Sequence, residues 1–218
     1  MDDLKEISLK EVEYFKQFSL KFFNDKIPKS KYKQFTRDLG IYLEEEEKSF
    51  MIKLKISSGI MSRSQLHTIY QMASKNKLNH INFTTNQTIQ LHGLNLDGIC
   101  AILEKGVENN IFTKGADGTL ELNQQPIESF TDNFELYEIN QILFKQNELY
   151  AVYINPNEGV LPLKILKSLL YSLDKCKKPL IKLSMNYGFY ILNLYENEAN
   201  KLLTISKSFS KNIKYNNQ

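Results

Sequence analysis

The sequence predicts an α+β protein made of two copies of one unit, in which a strand, a helix, a hairpin and a second helix follow each other. The first observation is a repeat without gaps: residues 50–61, FMIKLKISSGIM, align with residues 150–161, YAVYINPNEGVL, at an offset of 100 positions. The second is the apolar period, which is two in the predicted strands and three to four in the predicted helices. We therefore expect two β-α-β-β-α units with a pseudo-twofold relation. A mixed or antiparallel sheet should carry the helices on one face.

Each element of the first unit follows from its pattern of apolar residues. Phe50, Ile52 and Leu54 alternate with polar residues, as in a half-buried strand, and a turn at Gly59 follows. Ser62 precedes a helical pattern and is a suitable N-cap. The predicted elements are, in order, a helix at 8–23, a strand at 50–56, a helix at 62–75, a hairpin at 79–84 and 88–92, and a helix at 96–108.

The repeat continues beyond the first strand, because Leu66 and Ile69 align with Leu166 and Leu169, and Ile81 aligns with Ile181. It divides the chain into five segments. These are an N-terminal helix and lead-in (1–47), a first half-domain (48–111), a connector (112–134), a second half-domain (135–206) and a polar tail (207–218).

Composition excludes several classes of protein. The net charge of +3 is small, and basic residues do not interleave with aromatic ones, so we expect no nucleic-acid partner. No apolar run approaches the ~20 residues that cross a bilayer, and the N-terminus lacks the order of a signal peptide. We therefore expect a cytoplasmic protein that does not bind membranes. The two cysteines, Cys100 and Cys176, cannot supply the four thiolates of an iron–sulfur cluster.

Residues 48–108 resemble the ferredoxin-like half-domain of nitrite and sulfite reductases, and the repeat extends the resemblance to about residue 205. In that family a Met-x-Arg-x-Arg strand leads to a Gly-rich turn, and a Thr-Thr-Arg-Gln hairpin ends in Gln-x-His-Gly. The matching pieces here are MIKLK, SSG and TTNQTIQLHG. The second copy is more divergent, with NEGVL at the turn and LSMNYGFYILN as the hairpin.

The resemblance implies a scaffold for sirohaem or a related tetrapyrrole, whose carboxylates are bound by basic side chains. It also implies a set of cofactor-binding residues on the strand and hairpin: Lys53, Lys55, Thr84, Thr85, Asn86, Gln87, Gln90 and His92. No catalytic residue and no metal ligand is predicted.

The departures from the family pattern bear on activity. Asn86 stands where the hairpin arginine is expected, and lysines replace the two strand arginines, which removes the bidentate fork of the guanidinium. Since this chain has no cysteine quartet, we do not expect a self-sufficient sulfite or nitrite reductase.

Each of these residues also has a structural interpretation. Asn86 suits a turn position with positive φ, Lys53 and Lys55 suit a solvated sheet face, and His92 suits a strand end. Neither interpretation is excluded by the sequence.

Three functions remain open at this point. The chain is a tetrapyrrole- or anion-binding protein or scaffold without its own cluster and sirohaem domains. Alternatively, it is a subunit or fragment of a sirohaem-dependent oxidoreductase that a partner redox subunit completes. In the third hypothesis it is an interaction module, acting through self-association and without a ligand.

Overall fold

The computed structural model describes residues 2–44, 49–116, 143–146 and 149–212, and within them the side chains of residues 9–44, 49–116 and 149–206. Most of the predicted connector (117–134), the start of the predicted second half-domain (135–142) and residues 213–218 of the predicted tail lie outside the described residues.

The chain begins with two helices, α1 (Asp2–Phe23) and α2 (Lys29–Asp38). Helix α1 therefore starts before residue 8, the predicted first residue of this helix. Phe22 stacks on Tyr32 with ring centroids 4.1 Å apart. The hydroxyl of Tyr32 lies 2.8 Å from that of Ser19 inside the core, and burial raises the pKa of Tyr32 to about 12.

The predicted elements of the first unit are present, with one addition. A short strand follows the Gly59 turn, so that the unit is strand, short strand, helix, hairpin and helix. Ser62 caps the first helix of the unit as predicted, because its hydroxyl accepts from the backbone N–H of Gln65 while the Gln65 side chain accepts from the N–H of Ser62. The elements are β1 (Ile41–Leu43), β2 (Phe50–Lys55), β3 (Ile60–Ser62), α3 (Arg63–Lys75), β4 (His80–Phe83), β5 (Thr88–Leu94) and α4 (Leu96–Glu108).

The second unit repeats this order almost residue for residue at the offset of 100. This confirms the predicted duplication. Its elements are β6 (Leu143–Gln146), β7 (Leu149–Ile154), β8 (Val160–Pro162), α5 (Leu163–Leu173), β9 (Leu180–Leu183), β10 (Phe189–Leu194) and α6 (Glu196–Asn212).

The short strands are exchanged between the units. The first sheet has the order β1-β2-β5-β4-β8, and the second has the order β3-β9-β10-β7-β6. Strand β8 of the second unit pairs antiparallel with β4 of the first, with Ile81 opposite Leu161. Strand β3 of the first unit pairs in the same way with β9 of the second, with Met61 opposite Ile181. Each sheet is therefore completed by a strand of the other unit.

The turn before each exchanged strand requires glycine. Gly59 and Gly159 have φ values of 63° and 80°, a region that side chains other than hydrogen disfavour. A Cβ on Gly159 would lie 2.2 Å from the carbonyl oxygen of Phe83, and a Cβ on Gly59 would lie 2.8 Å from Oε1 of Gln87.

The core lies between the sheets and the helices. In β2, Ile52 and Leu54 are fully buried, whereas Lys53 and Lys55 on the opposite face are half-buried, as the alternation predicts. Phe83 and Phe189 stack with centroids 4.8 Å apart, which links the two units inside the core. Among the helices of the described residues, none has the combination of length and apolar composition that crossing a membrane needs.

Candidate functional site

A row of polar residues crosses four strands of the first sheet, on the face opposite the core. Gln90 on β5 lies between Asn82 on β4 and Lys53 on β2, because both pairs are in register. Tyr42 on β1 extends the row, since the ammonium of Lys53 sits 4.7 Å from the centroid of the Tyr42 ring. We call Asn82, Gln90, Lys53 and Tyr42 the polar row.

The ammonium of Lys53 is held in an environment that disfavours its charge. Burial and then the nearby charge of Arg37, on α2, lower the pKa of Lys53 below its usual value. The backbone brings these cations close together: the N–H of Lys53 donates to the carbonyl of Gly40, whose own N–H donates to the carbonyl of Arg37. Two like charges near each other repel, which is why the neighbouring guanidinium contributes to the lowered pKa of Lys53.

Two atoms of the polar row are buried without a partner among the described residues. They are the hydroxyl oxygen of Tyr42 and the side-chain oxygen of Asn82. A buried polar group without a hydrogen bond typically costs about 1–3 kcal/mol, so such groups are often explained by a bound water or ligand. Both side chains also supply N–H or O–H donors.

A second chain of contacts leads to the row from the end of β1. Nδ1 of His92 lies 2.9 Å from a carboxylate oxygen of Glu44, and Nε2 lies 3.3 Å from Oε1 of Gln90. The other oxygen of Glu44 accepts from the N–H of Gly93 at 3.1 Å and from the hydroxyl of Ser49. Burial raises the pKa of Glu44, but these hydrogen bonds outweigh burial and leave the pKa below its usual value.

The hairpin between β4 and β5 lies apart from the row. The hydroxyls of Thr84 and Thr88 lie 2.8 Å apart and close the hairpin, while Thr85 and Asn86 are exposed at its tip. The predicted turn residue is wrong: positive φ falls on Gln87, at 55°, and not on Asn86. The second hairpin repeats this feature at Tyr187, whose φ is 59°.

Gln87 belongs to a buried junction between the two units. Its Nε2 donates to the carbonyl of Leu183 at 2.9 Å, and its Oε1 is buried without a partner among the described residues. Lys182 lies beside it and donates to the carbonyl of Ser58. The sequence patterns did not identify Lys182, although it aligns with Asn82 of the polar row at the offset of 100.

The predicted residues thus divide into three groups. Lys53 and Gln90 both belong to the polar row, and His92 contacts Gln90. Lys55 lies two residues along the same face, with Nζ 3.7 Å from the position of a Cβ on Gly115. Thr84, Thr85, Asn86 and Gln87 form the hairpin and the junction. Tyr42 and Asn82 were missed; the signal for both was their place on the polar face of a predicted strand or lead-in.

The described residues show no cluster of metal-ligating side chains. They contain no group of three or more histidine, cysteine or acidic side chains that could hold a metal ion. Both ring nitrogens of His92 are engaged. Cys100 and Cys176 are buried and free, and burial raises the pKa of each thiol to about 11, which keeps them protonated.

Comparisons with known proteins agree with this architecture. Residues 42–108 match the model of the nitrite/sulfite reductase ferredoxin-like half domain. The structure of the Mycobacterium tuberculosis NirA protein matches with a TM-score of 0.64 at 10% sequence identity, covering 85% of this chain and 64% of that one. The alignment therefore spans less than two thirds of the NirA chain, and at this identity it shows the fold alone. A search of curated proteins gave no match.

The family match runs from β1 to the end of α4 and includes all four residues of the polar row, and the fold likeness extends over most of the chain. The chain therefore contains a nitrite/sulfite reductase ferredoxin-like half domain at residues 42–108, and beyond these residues the likeness is one of fold alone.

Proposed function

We propose that this chain is a binding protein for a polyanionic tetrapyrrole, such as sirohaem or its metal-free precursor, and that the polar row contacts its carboxylates. The observation that carries the proposal is Lys53, a half-buried ammonium beside the charge of Arg37. The ammonium of Lys53 adds positive charge to the polar row, and a carboxylate there would be bound by a charge-assisted hydrogen bond.

The donors of the site suit the carboxylates of a tetrapyrrole. An ammonium, a phenol and two carboxamides stand in one row, and such groups bind ionised carboxylates well. Beside the polar row, His92 offers no free ring nitrogen to iron, because both of its nitrogens are engaged, and the two cysteines are buried. The site thus fits the carboxylate periphery of the ligand and does not extend to its metal.

In this proposal the residues of the chain hold and orient the ligand. Lys53 supplies the charge, while Gln90 and Asn82 supply hydrogen bonds in a fixed register on neighbouring strands. The tetrapyrrole, when it carries iron, supplies redox chemistry of its own. Because a sheet is rigid, these donors need little reordering when the anion arrives.

Titration of the purified protein with sirohydrochlorin, followed by visible absorbance, tests the proposal. We expect a saturable spectral change at micromolar ligand. Lys53→Met should weaken binding by about tenfold or more, because it removes a charge-assisted hydrogen bond. Lys167→Met is the matched control, since Lys167 is an exposed lysine on α5. Equal weakening by both variants, or no spectral change at all, would refute the proposal.

A second candidate follows from the two engaged ring nitrogens of His92, which leave this histidine unable to bind iron beside the polar row. If a partner redox subunit supplies the metal ligands, this chain is the scaffold part of a sirohaem-dependent oxidoreductase. Protein isolated from its native host should then carry iron and a visible chromophore together with a second chain in a fixed ratio. A colourless single chain would exclude this candidate while leaving the binding proposal open to the titration.

A further inference from the structure

Three side chains form a hydrogen-bonded chain that ends on the polar row. Glu44 contacts Nδ1 of His92 at 2.9 Å, and Nε2 of His92 contacts Gln90 Oε1 at 3.3 Å. The Gly93 N–H and the Ser49 hydroxyl hold the carboxylate in place. The imidazole is therefore held at both nitrogens, between a carboxylate and a carboxamide.

The chemistry of these three side chains links the protonation of His92 to the orientation of Gln90. A carboxylate only accepts hydrogen bonds, so Nδ1 carries a proton whenever it bonds Glu44. In a neutral ring Nε2 then accepts, and in a protonated ring it donates. The NH₂ group of Gln90 donates to Nε2 of the neutral ring, whereas the oxygen of Gln90 accepts from Nε2 of the protonated ring.

The carboxamide group of Gln90 that does not contact His92 is available to a ligand of the polar row. Gln90 lies opposite Lys53 on one side and Asn82 on the other. When His92 is protonated, the NH₂ group of Gln90 is available beside the ammonium of Lys53, as an anion requires. When His92 is neutral, the oxygen of Gln90 takes that place and repels an anion.

The surrounding charges act in the same direction. Among the described residues, the carboxylate of Glu44 contacts His92. Lys53 lies opposite Gln90 on β2, and Arg37 is near enough to contribute to the lowered pKa of Lys53. An anion bound at Lys53 adds negative charge near the imidazole, and negative charge favours a proton there.

We propose that an anion at the polar row binds together with a proton on His92. This inference rests on the proposed function, since it describes how the same site is regulated. By linkage, the affinity for the anion rises as the pH falls, by at most about tenfold per pH unit for one proton.

Calorimetric binding of sirohydrochlorin in two buffers of different ionisation enthalpy measures the number of protons taken up. We expect the wild type to take up as much as one proton per ligand bound. His92→Asn should bind without this uptake and with an affinity that no longer depends on pH between about 6 and 8. His67→Asn is the matched control, because His67 on α3 contacts Asp174 at 2.9 Å, far from the polar row in sequence and on a different element.

The outcomes separate this inference from the function on which it rests. Full proton uptake in His92→Asn, with binding retained, would overturn the inference and leave the binding proposal standing. Loss of uptake in His67→Asn would overturn it as well. If the wild type does not bind sirohydrochlorin, both this inference and the proposed function are refuted. Should His92→Asn fail to fold, His92→Gln is the second variant, and proton uptake close to that of the wild type in this variant would contradict the proposal.

Discussion

Lys182 is a single residue that links the two units through its side chain. Its side chain is almost fully buried on β9, and its ammonium reaches the carbonyl of Ser58 in the other unit. Burial lowers the pKa of Lys182, because a charged group in the interior loses its hydration. The folded protein therefore releases this proton at a lower pH than the unfolded chain does.

This shift predicts a pH dependence of stability. Below 10.5, the usual lysine value, the unfolded chain binds more protons at this position than the folded protein, so stability gains from rising pH in the window between the lowered pKa and 10.5. Lys182→Met removes that contribution. Urea unfolding at several pH values should show a smaller alkaline gain for the variant than for the wild type, and identical slopes would contradict the argument. Lys167→Met serves as the control at an exposed position.

Residues of the candidate site were predictable where a strand pattern fixes the face. Lys53 and Gln90 follow from alternation, because a period of two decides which side chains leave the core. Gln87 did not follow, since its positive φ comes from the three-dimensional form of the turn, in which a left-handed residue follows a tight turn. Lys182 was missed because a charged residue in an apolar strand gives no local sign that it is buried.

At the scale of elements, the exchanged strands β3 and β8 depend on the turns before them. Gly159 combines a positive φ with close approach to the carbonyl oxygen of Phe83, which would lie only 2.2 Å from a Cβ at this position. Gly93 also has a positive φ, of 72°, but nothing lies within 4 Å of a Cβ built there. A comparison of Gly159 with Gly93 therefore distinguishes the cost of a positive φ from the cost of moving a strand.

Gly159→Ala should therefore be more destabilising than Gly93→Ala. Both variants place a side chain in the left-handed region, at roughly 1–2 kcal/mol, and only Gly159→Ala must also move β8 away from β4. The measurement is the free energy of unfolding of both variants in urea. Equal losses would mean that the contact between Gly159 and Phe83 adds nothing to the strain.

Long, periodic elements were predicted within a few residues, as α3 and α4 illustrate. Strands β3 and β8 were not predicted, because three residues are too few for a period to appear. Their pairing also joins residues about a hundred positions apart, and no local signal in either unit specifies that partner.

At the scale of the whole molecule, the exchange makes each unit incomplete by itself. Without the second unit, β4 loses its partner β8, and β3 has no sheet to join. The apolar faces that meet in the core, such as Phe83 against Phe189, would be exposed to water. We therefore expect the two units to fold as one cooperative structure and not as two independent domains.

Separate expression of the halves tests this cooperativity. Residues 1–116 alone should show no cooperative unfolding, whereas residues 1–116 and 117–218 produced together should form a stable one-to-one complex. Circular dichroism with urea, and size-exclusion chromatography with light scattering, give the two readouts. A cooperatively folded 1–116 fragment would show that the exchanged strands are dispensable.

The central claim is that the polar row of the first sheet binds an anionic tetrapyrrole, and side-chain NMR tests it most directly. Adding sirohydrochlorin to labelled protein should shift the carboxamide NH₂ signals of Gln90 and Asn82 in step with saturation. The backbone signals of α5, which carries the control residue Lys167, should stay in place. Saturable binding that leaves both carboxamides unmoved and shifts signals elsewhere would contradict the account.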